Sequence, residues 1–177
     1  MKDKFFYLIF FSLILAFFRL IPHPPNFTPI LATAIVAPLL IKDRLIGVAL
    51  PILAMFVSDV IIGFHPYQFV IYLTILSIGF FAPMKKSYIA LGSTAVLASC
   101  WFFITTNFAV WIIWEYYPKN FEGLITCYTL AIPFFKNTLI STVLFTALLT
   151  ISVKYLELLN SNTNYFIFKF INKKFNF

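Results

Sequence analysis

Six apolar runs, divided by short turns that hold both histidines and half of the prolines, constrain this chain more than any other feature. They cover residues 5–21, 28–41, 45–63, 67–83, 88–114 and 133–155. A helix needs about 20 apolar residues to cross the hydrocarbon core of a bilayer. The runs therefore predict an all-α integral membrane protein with six transmembrane helices in one domain spanning residues 1–177. The second run is short and the fifth long, so the crossings are expected to differ in tilt. Composition closes off the soluble alternative. The chain is 62% hydrophobic and 11% charged, with a mean hydropathy of +0.94, whereas a soluble domain is about half apolar and a quarter charged. A water-soluble fold of this size could not hide 24 Phe.

Two segments fall outside the six runs. Residues 121–132 are too short to span and read as an interfacial or re-entrant piece held by other protein. Residues 156–177 mix Lys with Tyr and Phe and read as a basic aromatic tail at the cytoplasmic surface. The first run follows Lys2 and Lys4 like a signal peptide, but Arg19 and a proline-rich turn stand where a small-residue cleavage site would be. It is expected to be a retained helix.

The net charge of +7 would suit nucleic acid only as a stripe or patch. Here the basic residues sit in short pairs between apolar runs, which points to topology and not to a nucleic-acid partner. Lys2, Lys4, Lys42, Arg44, Lys85, Lys86, Lys154, Lys169, Lys173 and Lys174 lie on one side, and only Lys119 lies in the opposite loops. Ten against one predicts that both termini are cytoplasmic. Cys100 and Cys127 belong to no CxxC or CxxH pair, so no structural metal site is expected.

That orientation puts the polar chemistry on the outer side. The first outer turn reads Pro22-His23-Pro24-Pro25-Asn26-Phe27-Thr28-Pro29, and four prolines in eight positions forbid a helix there. The second follows Ser58-Asp59 and contains His65 and Gln68; the third carries Asn107, Trp111, Trp114 and a run of tyrosines; the sixth span opens with Lys136-Asn137. Asp59 lies about 6 Å below the outer end of its span, at 1.5 Å per residue. A charge at that depth is costly and must face inward, pair or meet a ligand. Arg19 is the natural neutralising partner of Asp59, with Lys136 either sharing that carboxylate or left for an anion. Arg19 and Lys136 also lie near span ends, where snorkelling to headgroups is open to them. Trp111 and Trp114 suit an interfacial belt, but Asn107, Trp111 and Trp114 share one helix face at i, i+4 and i+7. Asn107 needs a partner inside, which turns Trp111 toward a pocket wall. Ser12-x-x-x-Ala16 and Thr33-x-x-x-Ala37 permit close helix contact, either within the bundle or with a partner membrane protein.

Catalysis would need a nucleophile, base or metal set within mutual reach. No HExxH, GxSxG or Gly-rich phosphate loop is present, so the chain reads as no enzyme. A channel would need polar residues through the full thickness, and the inner halves of the spans are almost entirely apolar. What remains is a pocket open to the outside above an apolar plug.

Four blocks carry a resemblance: Arg-x-x-Pro-His-Pro-Pro-Asn-Phe-Thr-Pro-Ile from Arg19, Ser-Asp…Gly-Phe-His from Ser58, Thr-Thr-Asn-Phe-Ala-Val-Trp from Thr105, and Ile-Pro-Phe-Phe-Lys-Asn from Ile132. Across about residues 5–155 they resemble a widespread, uncharacterised family of small bacterial inner-membrane proteins. That family is similar in turn to the S components of energy-coupling-factor (ECF) vitamin transporters, nearest the solitary cobalamin-transporting kind. The resemblance implies a six-helix S-component-like bundle in the bacterial inner membrane that captures a vitamin-like molecule from outside. It implies His23 and Asp59 at the substrate pocket, and Ser12 and Ala16 facing an ECF-type coupling subunit that acts with ATPases. Cobalamin-type members offer a thiolate to cobalt. This chain has no Cys between Asp59 and Cys100, so His65 or Cys127 would have to take that place.

The combined expectation is uptake of a vitamin or cofactor precursor, with no resident cofactor. The substrate would sit among His23, Asn26, Asp59, His65, Asn107, Trp111 and Lys136. Two alternatives stay open: a membrane scaffold or assembly subunit, and an intramembrane enzyme using Asp59 with a histidine.

Overall fold

The computed structural model describes residues 2–41, 43–83 and 87–174, with side chains from residue 9 to residue 155 within those stretches. It is all-helical: α1 (Lys2–Leu20), α2 (Ile30–Leu40), α3 (Arg44–Ile62), α4 (Gln68–Phe81), α5 (Tyr88–Ile113) and α6 (Phe121–Lys174). Three helices are long and apolar enough to cross a membrane: α3, α5 and Phe121–Tyr155 of α6. Ile9–Leu20, α2 and α4 are shorter apolar helices. Lys42, Lys85 and Lys86, and the side chains of Lys2, Lys4, Lys169, Lys173 and Lys174, lie outside the described residues, and with them most of the charges that set the predicted orientation.

Local chemistry fixes the helix ends. Asp43 caps α3 by accepting from the Leu45 N–H at 3.2 Å, and Ser87 accepts from the Ala90 N–H at the start of α5. Gly63 ends α3 at φ 107°, a conformation that L side chains rarely adopt, while its N–H bonds the Asp59 carbonyl.

The 11-residue α2 is the axis of the bundle. Ile30 to Pro38 are all buried, because α3, α4, α5 and α6 all pack against it. An apolar helix with no polar face is stable only when surrounded. The core gathers Ile30, Leu31, Ile35, Met55, Ile71, Ile75 and Leu91 about this axis. Helices α2 and α3 approach closely at Gly47, where a Cβ would stand 2.6 Å from Pro38 Cα.

The surface reverses the pattern of a soluble protein. Phe69, Phe81, Ile89, Leu97 and Phe121 are 69–86% exposed. Ser58, Asp59, Ser99, Ser141 and Thr142 are almost completely buried. An apolar exterior this extensive is at home in hydrocarbon and not in water.

One expectation is corrected here. Residues 121–132 form no separate re-entrant piece: α6 runs unbroken for 54 residues with Pro133 inside it. A proline removes one backbone donor and tends to kink a helix, but the freed carbonyl in a packed membrane bundle can find other partners. The helix also continues through most of the expected tail, whose side chains lie outside the described residues. Ser12 and Ala16 are each 2% exposed, and the Ser12 hydroxyl donates to the Leu50 carbonyl at 3.1 Å. These small residues seat α1 on α3 of the same chain, the within-bundle one of the two contacts expected for them.

Candidate functional site

The first turn is a rigid flap laid across α6. Its four prolines limit its freedom, and Asn26 takes φ 63°, a left-handed conformation that Asn tolerates better than most residues. The Phe27 N–H closes the turn on the Pro24 carbonyl at 3.0 Å. The Asn137 Nδ2 donates to the Pro25 carbonyl at 3.0 Å, and the Ser141 hydroxyl donates to the Asn26 carbonyl at 3.4 Å. The flap thereby joins α1 to α6.

Under it, between α3, α4, α5 and α6, lies a cavity of about 540 Å³. Arg19, His23, Asn26, His65, Tyr67, Asn107 and Tyr117 belong to its polar lining, with several Ser and Thr hydroxyls. Phe102, Phe103, Phe134 and Phe135 form an aromatic wall, in which the Phe103 and Phe135 rings sit 4.7 Å apart. At His23, Nδ1 donates to the Pro24 carbonyl at 2.8 Å, which leaves Nε2 for other partners. Asn107 donates Nδ2 to the Phe103 carbonyl at 2.7 Å; its Oδ1 has no partner among the described residues. The His65 backbone N–H donates to the Gln68 side chain at 3.4 Å, and the His65 ring stacks on Tyr67 with centroids 5.7 Å apart.

Asp59 stands behind this lining and not within it. Its side chain is 0% exposed, and it pairs with Arg19 at 2.6 Å. The other carboxylate oxygen accepts from the Tyr72 hydroxyl at 2.8 Å and from the Gln68 amide. The carboxylate is satisfied by protein alone, as a buried charge requires, and it pairs with an arginine that lines the cavity.

Trp111 and Lys136 are the other expected pocket residues absent from the lining. Trp111 shares a helix face with Asn107, but the turn after α5 folds back and claims its indole N–H for the Pro118 carbonyl at 2.9 Å. Lys119 donates to the Trp111 and Trp114 carbonyls, a cation on the negative end of α5. Lys136 is exposed on α6 beside the two lining phenylalanines. The structure thus brings His23, Asn26, His65, Asn107 and Cys127 to one cavity. Among the described residues no group of three or more His, Cys, Asp or Glu is placed to hold a metal ion.

The sequence reading missed Tyr72 and Gln68 as partners of Asp59, and Asn137 and Ser141 as tethers of the flap. One signal was available: Gln68 and Tyr72 are four apart on a helix otherwise rich in Ile, Leu and Phe, hence on one face. Such a polar pair must answer a polar group across the bundle.

Fold and site together define an all-helical protein with an apolar exterior and a mixed polar and aromatic cavity. The chain belongs to the family of unknown function DUF6580, whose model matches residues 1–164. No curated protein and no solved structure matches it.

Proposed function

We propose that this chain is a membrane-embedded binding protein for uptake of a vitamin-sized molecule. In this reading it sits in a bacterial inner membrane with six crossings and both termini cytoplasmic. It works in the manner of an ECF S component, taking its substrate from outside and releasing it inward, with energy supplied by a coupling subunit and ATPases. The chain itself performs no chemistry on the substrate.

One observation carries the reading. Residues from all four sequence blocks that are far apart in the chain line a single cavity of about 540 Å³, within the range of about 300–1,000 Å³ usual for small-molecule sites. An aromatic wall with a few fixed polar groups is the composition such sites favour. The size suits a vitamin or cofactor precursor better than a complete cobalamin, which would protrude past the flap.

Native mass spectrometry of the gently purified protein tests the proposal. A small molecule is expected to leave with the wild type and to be absent from Ala131→Phe, which adds a ring at a buried lining position. A wild type that carries no small molecule and instead retains a stable protein partner would favour the scaffold alternative.

A further inference from the structure

The guanidinium of Arg19 has two edges with different fates. Its Nη1 is committed, donating to Asp59 Oδ1 at 2.6 Å, to the Met55 carbonyl at 3.3 Å and to the Ser58 hydroxyl. Nε and Nη2 make up the other edge. That edge is the side-on fork that meets a carboxylate or phosphate with two parallel N–H···O bonds. Neither nitrogen donates to another group among the described residues, and neither is a sealed, partnerless atom. Arg19 is a lining residue of the cavity.

The surroundings favour an anion at this edge. Among the described residues no acidic side chain lines the cavity, and Arg19 is the only Lys or Arg that does. Asp59 does not compete for the free edge, because it holds Nη1 from behind and is itself satisfied by Gln68 and Tyr72. The arginine side chain is 15% exposed, so a ligand anion there would meet the fork with little water to screen it. The aromatic wall of the same cavity offers area for an apolar body.

We infer that the cavity takes an anionic small molecule, with its carboxylate or phosphate on the Nε–Nη2 edge of Arg19 and its aromatic body against Phe102, Phe103 and Phe135. The inference rests on the binding reading above and adds the charge of the ligand. A lipid headgroup phosphate would satisfy the same fork, and the test separates the two sources.

The probes are naphthalene-2-carboxylate and naphthalene-2-carboxamide, equal in shape and different in charge. They are titrated against the full chain in phosphatidylcholine nanodiscs. The acid is expected to bind roughly 10- to 100-fold more tightly, the range for hydrogen bonds to a charged group. The double variant Arg19→Gln with Asp59→Asn removes both charges together and strands neither; it is expected to lose the preference for the acid. If that variant fails to fold, Arg19→Lys retains the ion pair without the second edge and is expected to lose most of the preference. Equal binding of acid and amide to the wild type would overturn the inference and leave the cavity reading intact. Binding of neither would contradict the cavity reading itself. A preference that vanishes in discs containing phosphatidylglycerol would assign the fork to a lipid headgroup and overturn the small-molecule form.

Discussion

A carboxylate with no exposure must find its whole solvation shell in protein, and Asp59 does so through Arg19, Gln68 and Tyr72. Removing the acid leaves a cation and two polar groups without their acceptor. Asp59→Ala is therefore expected to destabilise the fold by about 3–5 kcal/mol, the range for breaking a buried pair. Tyr72→Phe removes one hydrogen bond to a charged acceptor and should cost about 1.5–3 kcal/mol. Thermal unfolding in detergent checks both; a Tyr72→Phe protein as labile as Asp59→Ala would mean that the phenol does more than donate. At this scale charge was legible in the sequence, since a short acid inside an apolar span has to find a cation and Arg19 was at a compatible depth. Uncharged partners were not legible, because an amide or a phenol fits an interface as well as a core. Placing Asp59 on the pocket wall followed the same gap: without Gln68 and Tyr72 in view, its second oxygen was left to Lys136 or a ligand.

Element boundaries came through best where a turn carried its own chemistry. The proline-rich first turn and the end of the third run at residue 63 mark helix ends in the sequence as they do in the structure. The break expected before residue 133 is absent, because an apolar stretch too short to span by itself can simply extend the neighbouring helix. Within α6, at about 1.5 Å per residue, 54 residues extend about 80 Å, well past a core about 30 Å thick. Thr33-x-x-x-Ala37 marked α2 for close contact, but its pairing with α3 was not legible, since that depends on which helices become neighbours. Two glycines separate these effects. Gly47→Ala puts a Cβ 2.6 Å from Pro38 Cα and 2.8 Å from the Ala37 carbonyl, where backbone cannot yield cheaply; a loss of about 1–3 kcal/mol is expected. Gly92→Ala meets nothing within 4 Å and should gain about 0.5–1 kcal/mol from helix propensity. Similar shifts in unfolding temperature for the two would contradict the close α2–α3 crossing.

For the whole molecule, the reversal of polarity between surface and interior is the property from which the proposed function starts. It was legible in composition alone, because nothing else can be done with so much Phe and so little charge. The cavity was legible only in part. The blocks around His23, His65 and Asn107 were visible as polar groups gathered toward one end, but the flap that roofs them depends on Asn137 and Ser141, over a hundred residues away. If the proposed orientation holds, Asn26→Cys, in a Cys100→Ser and Cys127→Ser background, is labelled by a membrane-impermeant thiol reagent added outside intact cells. Labelling only after the membrane is opened would reverse the topology. The most direct test of the central claim is a crystal structure of the protein purified from cells grown in rich medium, without added ligand. The account predicts density for a compact molecule between Arg19, Phe103 and Asn107, with an acidic group against the guanidinium. A cavity filled by water or by a lipid chain would contradict it.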